Sequence, residues 1–353
     1  MFDVITIGSA TLDAFIETDL ASIVSVSQMN TKKDFMSYPY GSKIEIDKFD
    51  FKTGGGGLNT TMNFATLGLK TSAILKIGEE HEGKNISSVM KKANIDTSNL
   101  IQSKEYKTGF SIILISFQGD RTVLAHRGAN AHLKKSEINF DAIKNSKWLY
   151  IAPLNGDSTK VLDDIAQFAE KNNVNMAINI GTSSIKKGPK YLEKISKTAE
   201  VVIMNREEAT MLTEISIRPD TKEEKFSDKK IHPDMVKMLK KLKSTHAKII
   251  IITDGKDGAY AYDGKKYYHA PEFPAKVVST LGAGDAFAST FVATLTLTNN
   301  DIQKSLGAAS IVAASTVEKF GAQDGFMTYK EIQEKAKKHP EYKVSVLNLM
   351  ISL

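Results

Sequence analysis

Six short apolar runs, each closed by Gly, Asn or Pro, constrain this chain more than any other feature. "DVITIGS", "TSAILKIG", "WLYIAPL", "VNMAINIG", "EVVIMN" and "KIIIITDG" are rich in Val and Ile and too short for helices, which marks them as strands. Amphipathic stretches separate several of them, such as 159–172 ("TKVLDDIAQFAEKN") and 233–243. Apolar runs without alternation are buried on both faces, and parallel strands need long crossovers, so this order predicts a mostly parallel, doubly wound α/β sheet with helices on both faces. Ligands of such sheets bind beyond the carboxyl ends of the strands.

Two segments depart from that rhythm. Residues 14–53 contain "FIETDLASIVSVSQ" and "SKIEIDKFDFKT", and 108–126 reads "TGFSIILISFQGDRTVLAH". Their period-two alternation suits exposed strands, the second folding as a hairpin at "QGD". Together they predict a small antiparallel β lid over the strand ends. The polar stretch 217–232 has the composition of a surface insertion. The tail 336–353 is apolar near its end and is compatible with a strand, a helix or an oligomer contact.

Composition removes several chemistries. The 353 residues include no cysteine, which excludes disulfides, thiolate metal sites and cysteine nucleophiles. Seven histidines lack metal-ligand spacing, so a metal here is expected to be held by oxygen. The net charge of +6 comes from dispersed lysines without interleaved aromatics, so nucleic acid is not an expected partner. The N-terminal apolar run follows no basic stretch and is too short for a signal or a membrane span, which leads us to expect a cytoplasmic protein with no membrane partner.

Glycine-rich segments near strand ends are the candidates for chemistry. "GEEHEGKN" at 78–85 has Walker spacing but ends in Asn85, without the hydroxyl that would hold magnesium. "TGGGGLNTTMNFATLGL" at 53–69 brings Gly54, Gly55 and the amide of Asn59 to the start of an apolar helix, where backbone and side chain can reach sugar hydroxyls. No GxGxxG fingerprint is present, which argues against hydride transfer. "IIIITDGKDGAYAY" ends a strand at Thr253 and turns through Gly255 and Gly258, a geometry suited to phosphate or ribose. In "MNREEA", Asn205 and Glu208 fit equally a helix cap and a pair that holds water-clad magnesium. Finally, "STLGAGDAFAST" sets Gly282, Ala283 and Gly284 before a helix, an anion-attracting position that nonetheless carries the carboxylate Asp285.

In order and context, these segments resemble the ribokinase-like (PfkB) carbohydrate and nucleoside kinases over about residues 1–335. The resemblance rests chiefly on "GGGGLNTTMNFATLGL" and "STLGAGDAFASTFVATL", with "NREE" and "TDGKDG" between them. It implies a single ribokinase-like domain carrying lid segments at about 14–53 and 108–126. It further implies ATP-dependent, magnesium-requiring transfer to a primary hydroxyl of a sugar, or in the alternative a nucleoside. By the same resemblance Asp13, Gly54, Gly55 and Asn59 bind substrate, Thr253, Gly255 and Gly258 bind nucleotide, and Asn205 with Glu208 positions magnesium through water. Gly282, Ala283 and Gly284 form the anion hole, and Asp285 is the base.

Ser279 stands where the family usually has an acid that helps to hold potassium, and Gly325 replaces a small hydroxyl after "FGAQ", which weakens the case for that ion. The lid suggests pairing of two copies as a homodimer. Tyr38 and Tyr40 are candidates either to cover a nucleoside base or to pack the lid. A ligand-binding regulator that kept the fold without catalysis is the rival from outside the enzymes.

Overall fold

The computed structural model describes residues 1–347 except 19–20, 29–30, 116–120, 218–230 and 245–246. The "QGD" turn and most of the 217–232 stretch lie outside the described residues. All six apolar runs form strands of one ten-stranded sheet. Its parallel part runs, in spatial order, Ile249–Thr253, Val201–Asn205, Asn175–Asn179, Ser146–Ile151, Phe2–Gly8, Thr71–Gly78 and Ile101–Ser103. Ala259–Tyr262, Tyr267–Ala270 and Ser345–Leu347 extend it as antiparallel strands. The C-terminal tail is thus part of the sheet edge. The helix Tyr329–Lys338 spans the boundary at residue 335 drawn from sequence.

Successive isoleucines show why the runs lack alternation. Ile250 and Ile252 pack into a core with Ile5, Leu149 and Met176, beneath the helices Leu162–Lys171 and Pro233–Lys243. Ile249 and Ile251 point the other way, into a core with Tyr150, Phe64, Phe287 and Phe291. Both faces are therefore covered, and each fully buried isoleucine contributes about 1.5–3 kcal/mol of apolar burial.

The second core is bounded by the helices Gly56–Thr66 and Ala283–Leu297, which carry the two glycine-rich signatures at their starts. Close approach seats the first of them. A β-carbon on Gly57 would lie 2.7 Å from the backbone of Gly8, at the end of the strand Phe2–Gly8. Only glycine lets the helix start touch the strand end there.

The lid is a four-stranded sheet in the order Lys48–Gly54, Thr11–Glu17, Gly109–Ile115, Arg121–His126. Its outer pairings are antiparallel, while the central pair, which matches Asp13 with Ser111, runs parallel. The two segments expected to form one small antiparallel lid thus join into a single sheet whose central pair is parallel instead. Ser22–Gln28 and Thr31–Ser37 form a separate antiparallel pair. Where the lid leaves the main sheet, the buried Asn130 amide makes a reciprocal pair of hydrogen bonds with Ala10: Ala10 N donates to Asn130 Oδ1 at 2.9 Å and Asn130 Nδ2 donates to Ala10 O at 2.8 Å.

Candidate active site

Asp285 occupies the first turn of Ala283–Leu297 and is held by a contact that spans most of the chain. Asn59 Nδ2 donates to Asp285 Oδ2 at 2.9 Å. Asn59 Oδ1 accepts from Gln323 Nε2 at 2.9 Å, and the same Gln323 nitrogen donates to Thr53 O at 3.0 Å. Gly56 keeps this space open, since a β-carbon on it would lie 3.3 Å from Asp285 Oδ1. Burial raises the Asp285 carboxyl from its ordinary value of 3.8, and the Asn59 hydrogen bond partly offsets that rise. Burial and the nearby Asp285 charge together push the Tyr150 phenol upward, so it stays protonated.

One helical turn further along, the pairing repeats. The buried Asn63 Nδ2 lies 2.8 Å from both Ser289 Oγ and Thr290 Oγ1 and 3.2 Å from Ala286 O. Ser289 Oγ in turn donates to Asp285 O at 2.5 Å. Steps of four residues on both helices bring 59 to 285 and 63 to 289, so the helices run parallel and both positive ends converge on the site.

Gly282 caps the second helix in the left-handed region, at φ 78°. A β-carbon there would come within 2.5 Å of Ala322 Cβ, whereas Gly284 faces open space. By helix geometry the amides of Gly284 and Asp285 lack an intrahelical acceptor. A cavity of about 400 Å³ adjoins this turn and is lined by Ala283, Gly284, Thr253, Gly255 and Gly258, with Phe273 and Phe287 among its apolar walls. The predicted nucleotide residues and the anion-hole turn thus share one space. Thr253 lies beside Asn205 across adjacent strand ends. The loop after Thr253 is anchored by Arg206, which pairs with the buried Asp254 at 2.9 Å.

On the lid side, Asp13 is 7% exposed, and its Oδ1 is buried with no hydrogen-bond partner among the described residues. Burial raises its carboxyl, while the hydroxyls of Ser111 and Thr11 pull the other way. A β-carbon on Gly54 would collide with Asp13 Oδ2, and Gly55 has φ 90° with Ser9 O 2.7 Å from where its β-carbon would stand. These two glycines shape the turn between Asp13 and Asn59. An orphaned buried carboxylate oxygen suits a hydroxyl donor that arrives with a ligand.

Asn205 and Glu208 form a reciprocal cap: Glu208 N donates to Asn205 Oδ1 at 2.8 Å and Asn205 N to Glu208 Oε2 at 3.0 Å. Burial raises the Glu208 carboxyl. Tyr40 is fully exposed, and the Tyr38 hydroxyl lies 3.2 Å from Met36 Sδ, within its own strand region. Ser279 Oγ accepts from Leu281 N at 3.3 Å. Gly325 is required by packing, since a β-carbon on it would collide with Ser315 O.

Three contributors carry no signature in the sequence. Gln323 orients Asn59, Asn130 fastens the lid, and Arg121 Nη2 reaches from the lid to Thr280 Oγ1 at 2.8 Å. Isolated polar residues have no periodicity, so nothing in the local sequence marks them.

The stability sign at Asp285 follows from its raised folded-state value. Its stabilising contribution is full below the unfolded value near 3.8 and is lost as pH rises through the folded value. Ionising this buried carboxyl therefore costs stability as pH rises. Asp285→Asn should therefore unfold at an equal or higher temperature than the parent at pH 7.5, with the difference shrinking toward pH 4; a clear loss at pH 7.5 would contradict this.

Comparison with known proteins agrees with the geometry. Residues 20–328 match the family described as pfkB family carbohydrate kinase. The chain is 25% identical over 345 residues to 5-dehydro-2-deoxygluconokinase of Bacillus subtilis (strain 168), covering 94% of this chain and 95% of the relative. It is 26% identical over 353 residues to the protein of the same name from Clostridium perfringens, covering 96% and 94%. Among solved structures, Arabidopsis thaliana ribokinase complexed with ribose and ATP aligns with TM-score 0.75 at 18% identity, over 94% of this chain and 98% of that one. Methanocaldococcus jannaschii nucleoside kinase aligns with TM-score 0.72 at 21% identity, over 96% and 99%. With the matched region covering most of its length and both glycine-rich signatures placed around one site, the chain belongs to the pfkB family of carbohydrate kinases, small-molecule phosphotransferases of ribokinase-like fold.

Proposed function

We propose that the protein transfers the γ-phosphoryl group of ATP to a primary hydroxyl of a monosaccharide or sugar acid, with Asp285 as the base. The observation that carries this reading is the hydrogen bond from Asn59 to Asp285, which ties the carboxylate to the same turn that borders the unpartnered Asp13 oxygen. Asp13, Gly54, Gly55 and Asn59 would hold the sugar. Asp285 would accept the hydroxyl proton as the oxygen attacks phosphorus in line and ADP leaves. Amides of the Gly282–Gly284 turn would stabilise the charge that builds on the transferring group, an effect worth about 3–4 kcal/mol per donor in related oxyanion sites.

Thr253, Gly255 and Gly258 would contact the nucleotide in the shared cavity. Magnesium, if carried in on the phosphates, would meet Asn205 and Glu208 through its water shell, since Glu208 Oε1 lies outside the capping bond and magnesium retains several waters. The metal would supply positive charge to the phosphates. Potassium has little support at Ser279, whose hydroxyl brings no charge. The acidic substrate in the relatives' name makes a sugar acid a candidate beside a neutral sugar, ahead of a nucleoside. Among the described residues no helix is long and apolar enough to cross a membrane. A cytoplasmic setting is our proposal.

The outer lid strands leave Phe49 and Phe51 on one edge and Leu124 on the other more than half exposed. This supports a homodimer formed through the lid. Light scattering of the purified protein should give twice the chain mass, and Phe49→Asp with Phe51→Asp should give one; a monomeric parent would remove the dimer.

The catalytic reading is tested by supplying ATP and magnesium with 5-dehydro-2-deoxygluconate, 2-keto-3-deoxygluconate, fructose, ribose and adenosine in turn. Turnover of a sugar or sugar acid, cut by about 10²- to 10⁴-fold in Asp285→Asn with ATP still bound, is the expected outcome. Turnover of adenosine alone would favour a nucleoside kinase. ATP binding without turnover of any acceptor would favour a regulator.

A further inference from the structure

The C-terminal segment after Lys338 has no part in the chemistry described so far, yet it is fastened to the cavity wall at several points. Ser345–Leu347 pairs with Tyr267–Ala270, the strand that leads directly into the wall residues Pro271, Glu272 and Phe273. Tyr342 Oη donates to Pro271 O at 2.9 Å. Ser310, which lines the cavity from the helix Ile302–Val317, acts on the same phenol and offsets part of the rise that burial causes. Phe273, 1% exposed, has the rings of His339 and Tyr342 edge-on, each with centroids 4.9 Å away. Gln303 Nε2 secures the segment from that helix by donating to Val344 O at 2.7 Å.

We propose that Tyr342 is a positioning residue for the nucleotide: its hydroxyl fastens the Pro271–Phe273 wall to the C-terminal segment, which Gln303 ties to the helix opposite, so this segment sets nucleotide affinity without touching the sugar side. This rests on reading the cavity as the ATP site. Gly258 reinforces the connection, because a β-carbon on it would collide with Ala270 O. The glycine turn expected to meet the nucleotide is therefore packed on the same strand end that the tail staples. Burial pushes the Tyr342 phenol up to about 12, which keeps it a donor throughout the working pH range. Asp13 and Asn59 are not part of this cavity lining, so a loosened wall should leave sugar recognition intact.

The test uses the full chain with Tyr342→Phe, which keeps the ring and removes the hydroxyl, and Gln303→Ala, which frees the segment from outside the cavity. ADP binding by calorimetry is measured beside the KM values for ATP and sugar. Tyr342→Phe should weaken ADP by about three- to tenfold, the scale of one lost hydrogen bond. KM for ATP should rise in parallel, with kcat and the sugar KM within about twofold of the parent, and Gln303→Ala should act in the same direction. Unchanged ADP affinity in Tyr342→Phe, or an equal rise in the sugar KM, would overturn the inference while leaving the nucleotide reading standing. A parent protein that binds no ADP would overturn both.

Discussion

The hydrogen bond between Asn59 and Asp285 joins the two halves of the site. Each residue stands in the first turn or two of its helix, and each helix begins in a glycine-rich turn because the surrounding backbone leaves no room for a side chain. At Gly57 the neighbour is the end of the strand Phe2–Gly8, and at Gly282 it is Ala322. Displacing either helix would separate the proposed substrate side from the proposed base. Asn63 repeats the connection one turn below, so the distance between the helices is set twice. Both contacts lie in a buried seam, where an amide that lost its partner would cost about 1–3 kcal/mol.

This arrangement also resolves the apparent conflict of an acid at an anion-attracting helix start. The free amides and the carboxylate do not compete for one ligand. Gly284 opens toward the cavity, while Asp285 turns toward Asn59 and Gly56. A phosphoryl group can approach one side of the turn and a hydroxyl the other. Burial that raises the carboxyl also makes it a stronger base than an exposed aspartate.

Much of the main sheet was legible because its strands are buried on both faces, and that requirement is written locally as unbroken Val and Ile. The site turns were legible for a similar reason: consecutive glycines at a strand end mark backbone that must approach another group closely. Lid pairing was not. Thr11–Glu17 and Gly109–Ile115 lie about a hundred residues apart and pair in parallel, a choice made by where the main sheet delivers them. The Asn205–Glu208 motif stayed ambiguous because one spacing serves both capping and magnesium, and the structure shows the cap. The three-residue strand at Ser345–Leu347 is shorter than any periodic signal, so its docking could be seen only in three dimensions.

The dependence of the base on Asn59 can be measured directly through the pH profile of kcat in the parent and in Asn59→Ala, with the sugar and ATP saturating. Asn59 donates to the ionised carboxylate, so it lowers a value that burial has raised. The acid limb of the parent should therefore lie above 3.8, the ordinary value, and should move to higher pH in Asn59→Ala. An acid limb that stays in place, with only KM for the sugar altered, would show that Asn59 binds substrate without governing Asp285.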